Sequence, residues 1–299
     1  MEPMYSIDEF IIAVFCCVDD LLKEVTQGRK IRAHGFAPKV SDSEVMTMEI
    51  VGEYLKIDTD EQIWQYFRRH WQSWFPTLGS RSSFVRQAAA LWQYKQRMQQ
   101  QLAAALGAFD DPVHLIDGLP MPVCRFGRAN FCRSFEGDAD YGYCAAKKET
   151  YYGFRGHLCV SARGIITSFT LTAADVDERD AAPDIVQQIQ GMLIGDKGYI
   201  RPELKAQLQA ASLDLQTALR KNMQETRPKA WVKLLMRVRR LIETVIGQLA
   251  GRFNLERVHA RDKWHLTSRI NRKLLAHTVC FWLRRDCLDP LAFDLLIKD

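Results

Sequence analysis

Along the first hundred residues apolar side chains recur at intervals of three and four, the spacing of amphipathic helices. Ser41-Asp42-Ser43-Glu44 has the form of a capping box, and Val45, Met48, Val51, Gly52 and Leu55 follow it on one helical face. A second helix is predicted over residues 59–71, with Trp64, Phe67 and Trp71 as its buried stripe. Pro76 and Gly79 break the pattern, and residues 81–106 read as one long helix rich in Ala and Gln. Three helices in this order suit a helix-turn-helix-like module or a helical cap.

Beyond Asp110-Asp111-Pro112 the period changes. Residues 113–116 form a short apolar run that stops at Asp117-Gly118, the pattern of a buried strand ending at a turn. Residues 118–150, rich in Gly, Arg and aromatics with weak periodicity, read as an elaborated loop. Residues 151–160 and 165–171 predict a hairpin turning across 161–164, followed by a helix over 181–190 and a strand over 192–194 that ends in Gly195-Asp196. Pro202 opens a helix to residue 211, and residues 213–219 are strand-like. From residue 230 to 253, Trp231, Leu234, Leu235, Val238, Leu241, Ile242, Val245 and Leu249 define a long amphipathic helix, and a last one covers 266–287. Hairpin-linked strands followed by alternating helices and strands predict an α/β fold with an RNase H-like mixed sheet and flanking helices, preceded by an all-helical domain. The expected division is a helical domain over 1–110, a sheet domain over 111–255, and a basic helical extension over 256–299 packed on the outside of that core.

Composition narrows the class. With 299 residues, 47% of them hydrophobic, the chain can bury a substantial core. No two of its eight cysteines show zinc-finger spacing, and several lie in apolar runs, as Cys16 and Cys17 do; a reducing, cytosolic compartment follows. The apolar run 10–18 is too short to span a bilayer and follows acidic residues, so neither a membrane nor a secretion signal is expected. The formal charge is only +5, but residues 219–285 hold 17 Lys and Arg against four acids, whereas residues 1–62 hold 13 acids against six bases. Such segregation is an electrostatic footprint for a polyanion, with solvated helix faces as the alternative for any single charge.

Candidate chemistry lies in the acids. Asp117 and Asp196 each follow an apolar strand and adjoin a Gly. If the first and fourth strands of the predicted sheet are neighbours, both project into one crevice, where like charges call for a divalent cation. Glu243 lies four residues after Arg239 on one face of the long helix; it is either a third ligand or half of an Arg-Glu surface pair. Asp175, Asp177 and Asp180 read as a turn and helix cap, with an auxiliary ligand as the alternative.

The segments His114-Leu115-Ile116-Asp117-Gly118, Tyr151-Tyr152-Gly153-Phe154-Arg155-Gly156-His157, Gly195-Asp196-Lys197-Gly198-Tyr199 and Arg239-Arg240-Leu241-Ile242-Glu243 resemble, in order and spacing, the signature blocks of DDE transposases of bacterial insertion sequences. The resemblance covers residues 113–253 and implies that Asp117, Asp196 and Glu243 are catalytic and bind two Mg²⁺ or Mn²⁺ ions in an RNase H-like domain. It departs from one related signature, in which a Tyr seven residues before the Glu and a Lys seven after it are here Met236 and Ala250. The implied activity is cleavage of double-stranded DNA at terminal inverted repeats and strand transfer into target DNA. A homodimer or larger assembly on DNA, in the bacterial cytoplasm at the nucleoid, is implied with it. Candidate DNA contacts are Arg125, Arg128, Arg133, Lys147, Lys148, His157, Lys197, Arg237, Arg239 and Arg240, of which His157 reads equally as a satisfied sheet histidine. The rival readings are an RNase H-like nuclease without strand transfer, a domesticated DNA-binding protein without catalysis, and a two-carboxylate glycosidase, which the surrounding Lys and Arg disfavour.

Overall fold

The computed structural model describes residues 4–32, 34–145 and 147–298. The chain divides into two compact units, one built from the residues up to Leu102 together with those from Gly251 on, the other from Ala103–Ala250.

The first unit opens with α1 (Ile7–Thr26), α2 (Asp42–Tyr54), α3 (Asp60–His70), α4 (Arg81–Ala90) and most of α5 (Trp92–Ala105). The expected capping box starts α2: Ser41 N–H donates to Glu44 Oε2 at 2.7 Å, and Glu44 N–H donates to Ser41 Oγ at 3.1 Å. On α3 the buried stripe is Ile63 and Phe67, while Trp64 and Trp71 stay half-exposed. Gly52 explains the difference, because a Cβ there would lie 2.6 Å from Ile63 Cγ1; close approach of α2 and α3 selects the aliphatic side chain.

In the second unit, β1 (Val113–Arg125), α6 (Phe126–Ala129), β2 (Asp140–Cys144), β3 (Glu149–Ser161), β4 (Ile166–Ala173), α7 (Glu178–Ile185), β5 (Gly191–Gly195), α8 (Pro202–Ala210), β6 (Leu213–Thr217) and α9 (Lys229–Gly251) follow in order. The sheet order is β2-β3-β1-β5-β6, with β4 also on β3. β1 is antiparallel to β3 and parallel to β5, and β5 is parallel to β6. This is the mixed, RNase H-like arrangement, and the hairpin joining β3 to β4 closes where expected, with Ser161 N–H donating to Ile165 O at 2.9 Å. Ala181, Ala182 and Ile185 of α7 and Leu204 and Leu208 of α8 bury one face of the sheet with Ile116, Cys159 and Leu193.

Two expectations fail here. β1 does not stop at Asp117-Gly118 but runs on to Arg125, paired with β3 except for an irregularity between Pro122 and Cys124, and the presumed loop 118–150 also contains α6 and β2. Pro120 and Pro122 obscure the strand in the sequence. They are tolerated because the β5 pairing covers only Val113, His114 and Leu115, so past that point β1 has an open edge and needs no N–H on that side.

After α9 the chain returns to the first unit as α10 (Lys263–Leu283), which packs on α2 and α4. The segment 256–298 is therefore grouped with the helices of the first unit. The reason is ionic. Arg272 Nε meets Glu53 Oε1 at 2.6 Å, Lys273 Nζ meets Glu53 Oε2 at 2.7 Å, and Arg272 and Arg269 both hold Asp60. Lys95 Nζ pairs with Glu49 at 2.7 Å, and these groups are nearly all sealed from solvent. The predicted helix 81–106 breaks at Leu91 in the same place. There the Ala88 carbonyl accepts from Lys95 Nζ at 2.9 Å and Ser268 Oγ at 3.1 Å, which replaces the missing helical hydrogen bond. Among the described residues, no helix is long and apolar enough to cross a membrane.

Candidate active site

The catalytic candidates meet at the end of β5. The parallel register pairs Leu115 with Ile194; two residues further on, on the same face, come Asp117 and Asp196. Asp117 Oδ1 accepts from Gly118 N–H at 2.9 Å. Asp196, in extended backbone, caps the 3₁₀ turn Lys197–Tyr199 by accepting from Gly198 N–H at 2.5 Å. The two side chains are thus fixed by short local hydrogen bonds that Asp makes readily at a turn.

Glu243 joins them through an arginine. Arg239 Nη2 lies 3.2 Å from Asp117 Oδ2, and Nη1 lies 3.1 Å from Glu243 Oε1, so one guanidinium bridges β1 and α9. The spacing of four residues puts Arg239 and Glu243 on one helical face. Asp117 is largely enclosed, with 18% of its side chain exposed, whereas Glu243 has 55% exposed and stands at the rim. Burial, with the charges of Asp196 and Glu243 adding to it and Arg239 opposing, pushes the Asp117 carboxyl up to about 6.

A fourth acid, unremarked in the sequence reading, enters from α7. Glu178 follows the N-cap Asp177, and its carboxylate rests against Gly118 and Gly198, the residues beside and two beyond the two aspartates. Burial pushes its carboxyl up to about 7, against the pull of Arg155 and with Asp117 and Asp196 adding to the shift. Of its neighbours, Asp177 is the N-cap of α7, as the sequence suggested, and is bound by Arg179, whereas Asp180 pairs with Arg201. Only the position of Glu178, first in the helix after an Asp cap, hinted at a role.

Among the described residues, no three His, Cys, Asp or Glu side chains are already drawn together in a metal-binding cluster. The donor set nevertheless suits a hard divalent cation, being carboxylate oxygen throughout. The Arg239 guanidinium, held between Asp117 and Glu243, supplies positive charge where these acids would otherwise repel.

The basic candidates scatter. Arg125, Arg128, Arg133, Lys147 and Lys148 are exposed and gather at the far end of the β1–β3 ribbon, where β1 ends and β2 turns into β3. That is about 25 Å along the strand from Asp117. Lys197, Arg237 and Arg240 are exposed nearer the carboxylates, on the 3₁₀ turn and on α9. His157 is the exception: it is fully buried in β3, with Nε2 2.8 Å from Thr172 Oγ1, so it cannot meet DNA. Burial, reinforced by Arg155, pushes it down to about 4.

A family model described as transposase DDE domain matches residues 108–263. Among solved structures, the chain is similar to the piggyBac transposase in its synaptic complex with hairpin DNA, with a TM-score of 0.51 and 10% identity over 98% of this chain and 80% of that one. At that identity the likeness is one of fold. No curated protein matches the sequence.

Proposed function

Because the chain belongs to the DDE transposase family, we propose that it cuts DNA at the terminal inverted repeats of a bacterial insertion sequence and joins the freed ends to target DNA. The observation that carries this reading is the β1–β5 register, which brings Asp117 and Asp196 side by side, with Arg239 tying Asp117 to Glu243. Asp117, Asp196 and Glu243 would hold two Mg²⁺ ions, or Mn²⁺ in their place. Bound divalent cations supply charge stabilisation at the scissile phosphate and lower the pKa of an attacking water.

The chain's own residues set the conditions for that chemistry. Asp117 must give up its contact with Arg239 before its oxygens are available. Arg239, once released, carries a planar pair of N–H groups suited to a phosphate. Lys197, Arg237 and Arg240 would contact the DNA backbone near the cut, and Arg125, Arg128, Arg133, Lys147 and Lys148 would hold it further along the ribbon. Such contacts give affinity and register; sequence is read elsewhere. Pairing of two element ends requires at least a dimer on DNA, and DNA as substrate fits a protein of the bacterial cytoplasm at the nucleoid.

The test is a cleavage and joining assay with the full chain, Mg²⁺, and duplex carrying the repeats that flank its gene. The wild type should nick the repeat ends and yield joined products, and Asp196→Ala should reduce both to the level seen without divalent cation. Undiminished cleavage by Asp196→Ala overturns the site; cleavage with no joined product removes strand transfer and leaves a nuclease.

A further inference from the structure

Glu178 has no assigned part in the three-carboxylate reading, yet its surroundings are built around it. We propose that Glu178 is a fourth carboxylate of the catalytic cleft, sharing a divalent cation with Asp117 and Asp196; the proposal rests on the reading of the site given above.

Space is the first argument. A Cβ at Gly118 would lie 2.4 Å from Glu178 Oε1 and 2.8 Å from its Cδ, and a Cβ at Gly198 would lie 3.4 Å from Oε2 and 2.6 Å from Asp196 Oδ1. The carboxylate thus occupies a slot that any side chain next to Asp117 would close. Both glycines have ordinary backbone angles, so conformational freedom does not account for them; room for the Glu178 carboxylate accounts for Gly118, and room for the Asp196 carboxylate for Gly198.

Partners are the second argument. Around Glu178 the helix start is already satisfied: Asp177 accepts from Arg179 N–H at 2.9 Å and from Arg179 Nε at 2.8 Å, and Arg201 holds Asp180. Glu178 itself takes no part in this. Its nearest cation, Arg155 Nη1, stands 3.8 Å away, beyond hydrogen-bond distance, and donates to the Val176 carbonyl at 3.3 Å. A largely enclosed carboxylate, with 26% of its side chain exposed, therefore lacks a donor.

A third and independent observation is Tyr199. Its side chain is completely buried, its hydroxyl has no hydrogen-bond partner, and it lies close enough to Glu178, Asp117 and Asp196 to feel their charge. A hydroxyl without a partner and an acid whose nearest cation stands 3.8 Å away match a pocket whose further partner is a hydrated cation. Magnesium and manganese take oxygen ligands and retain waters, which would complete both groups.

The experiment is a Mn²⁺ titration of the folded full chain, followed by calorimetry and by the electron paramagnetic resonance signal of free Mn²⁺, in the wild type, Glu178→Gln, Gly118→Ala and Asp196→Asn. Glu178→Gln should weaken Mn²⁺ binding about tenfold or more, as Asp196→Asn does. Gly118→Ala keeps every carboxylate but drives that of Glu178 from its slot, and should weaken binding likewise; it decides the matter if Glu178→Gln does not fold. Wild-type affinity in Glu178→Gln and Gly118→Ala, with loss in Asp196→Asn, overturns this proposal and leaves the three-carboxylate site standing. Unchanged affinity in Asp196→Asn, or no Mn²⁺ binding by the wild type, overturns both.

Discussion

Single side chains in the catalytic unit owe their state to what encloses them. Asp117 lies against Arg239, yet burial outweighs the pull of that guanidinium, and with the charges of Asp196 and Glu243 adding to it the carboxyl pKa stays raised. His157 shows the opposite effect: sealed in the sheet, it is held neutral, bonded to Thr172. An unfolded His titrates near 6.5 and this one near 4, so between those values the unfolded chain binds more protons and stability falls as the pH drops. At pH 5 the loss from this one group is about 2 kcal/mol. Urea unfolding at pH 7 and pH 5 should therefore show the stability gap between wild type and His157→Gln shrinking by about that amount. A gap that stays constant with pH would mean that His157 is free to protonate in the folded protein.

At the scale of elements, β1 does the most for the site. It carries Asp117 two residues past its last pairing with β5, then continues along β3, whose other edge is covered by β4 and then β2. The ribbon is tight at its irregularity: a Cβ on Gly153 would lie 2.5 Å from the Met121 carbonyl and 2.7 Å from Val123 N. Backbone cannot step aside as a side-chain tip can, so Gly153→Ala should cost about 1–3 kcal/mol by denaturant unfolding. A fully stable Gly153→Ala protein would refute the close approach of β1 and β3. α9 contributes by period alone, since four residues bring Arg239 and Glu243 to one face. α7 contributes by where it starts, presenting Glu178 to the two strand ends.

For the molecule as a whole, the separation of acids at the start and bases at the end has an internal meaning that sequence alone could not assign. Arg269, Arg272 and Lys273 of the basic stretch neutralise Asp60 and Glu53 of the acidic one, so part of the supposed polyanion footprint is buried in the helical unit. This ionic core joins segments more than two hundred residues apart. Removing one partner leaves charges stranded in a medium that cannot solvate them. Arg272→Met should cost about 3–5 kcal/mol in urea unfolding. Wild-type stability in that variant would show that Glu53 and Asp60 reach water or other partners.

Read alone, the chain determines most of its helices and strands, the order that makes a mixed sheet, and the three acids placed where strand ends and a helix face can offer them. These are local properties: hydrophobic period, capping groups and turn residues act within a few positions of themselves. Tertiary structure decided the rest. The extension of β1 through two prolines depends on which edge is left open, the break at Leu91 on a lysine and a serine that cap a carbonyl from elsewhere, and the place of α10 on acids near the other end of the chain. Glu178 belongs to the same class, one acid among four in a short stretch. Only the packing of α7 against Gly118 and Gly198 separates it from its neighbours, because distance in space, on which electrostatics and exclusion depend, is not written in distance along the chain.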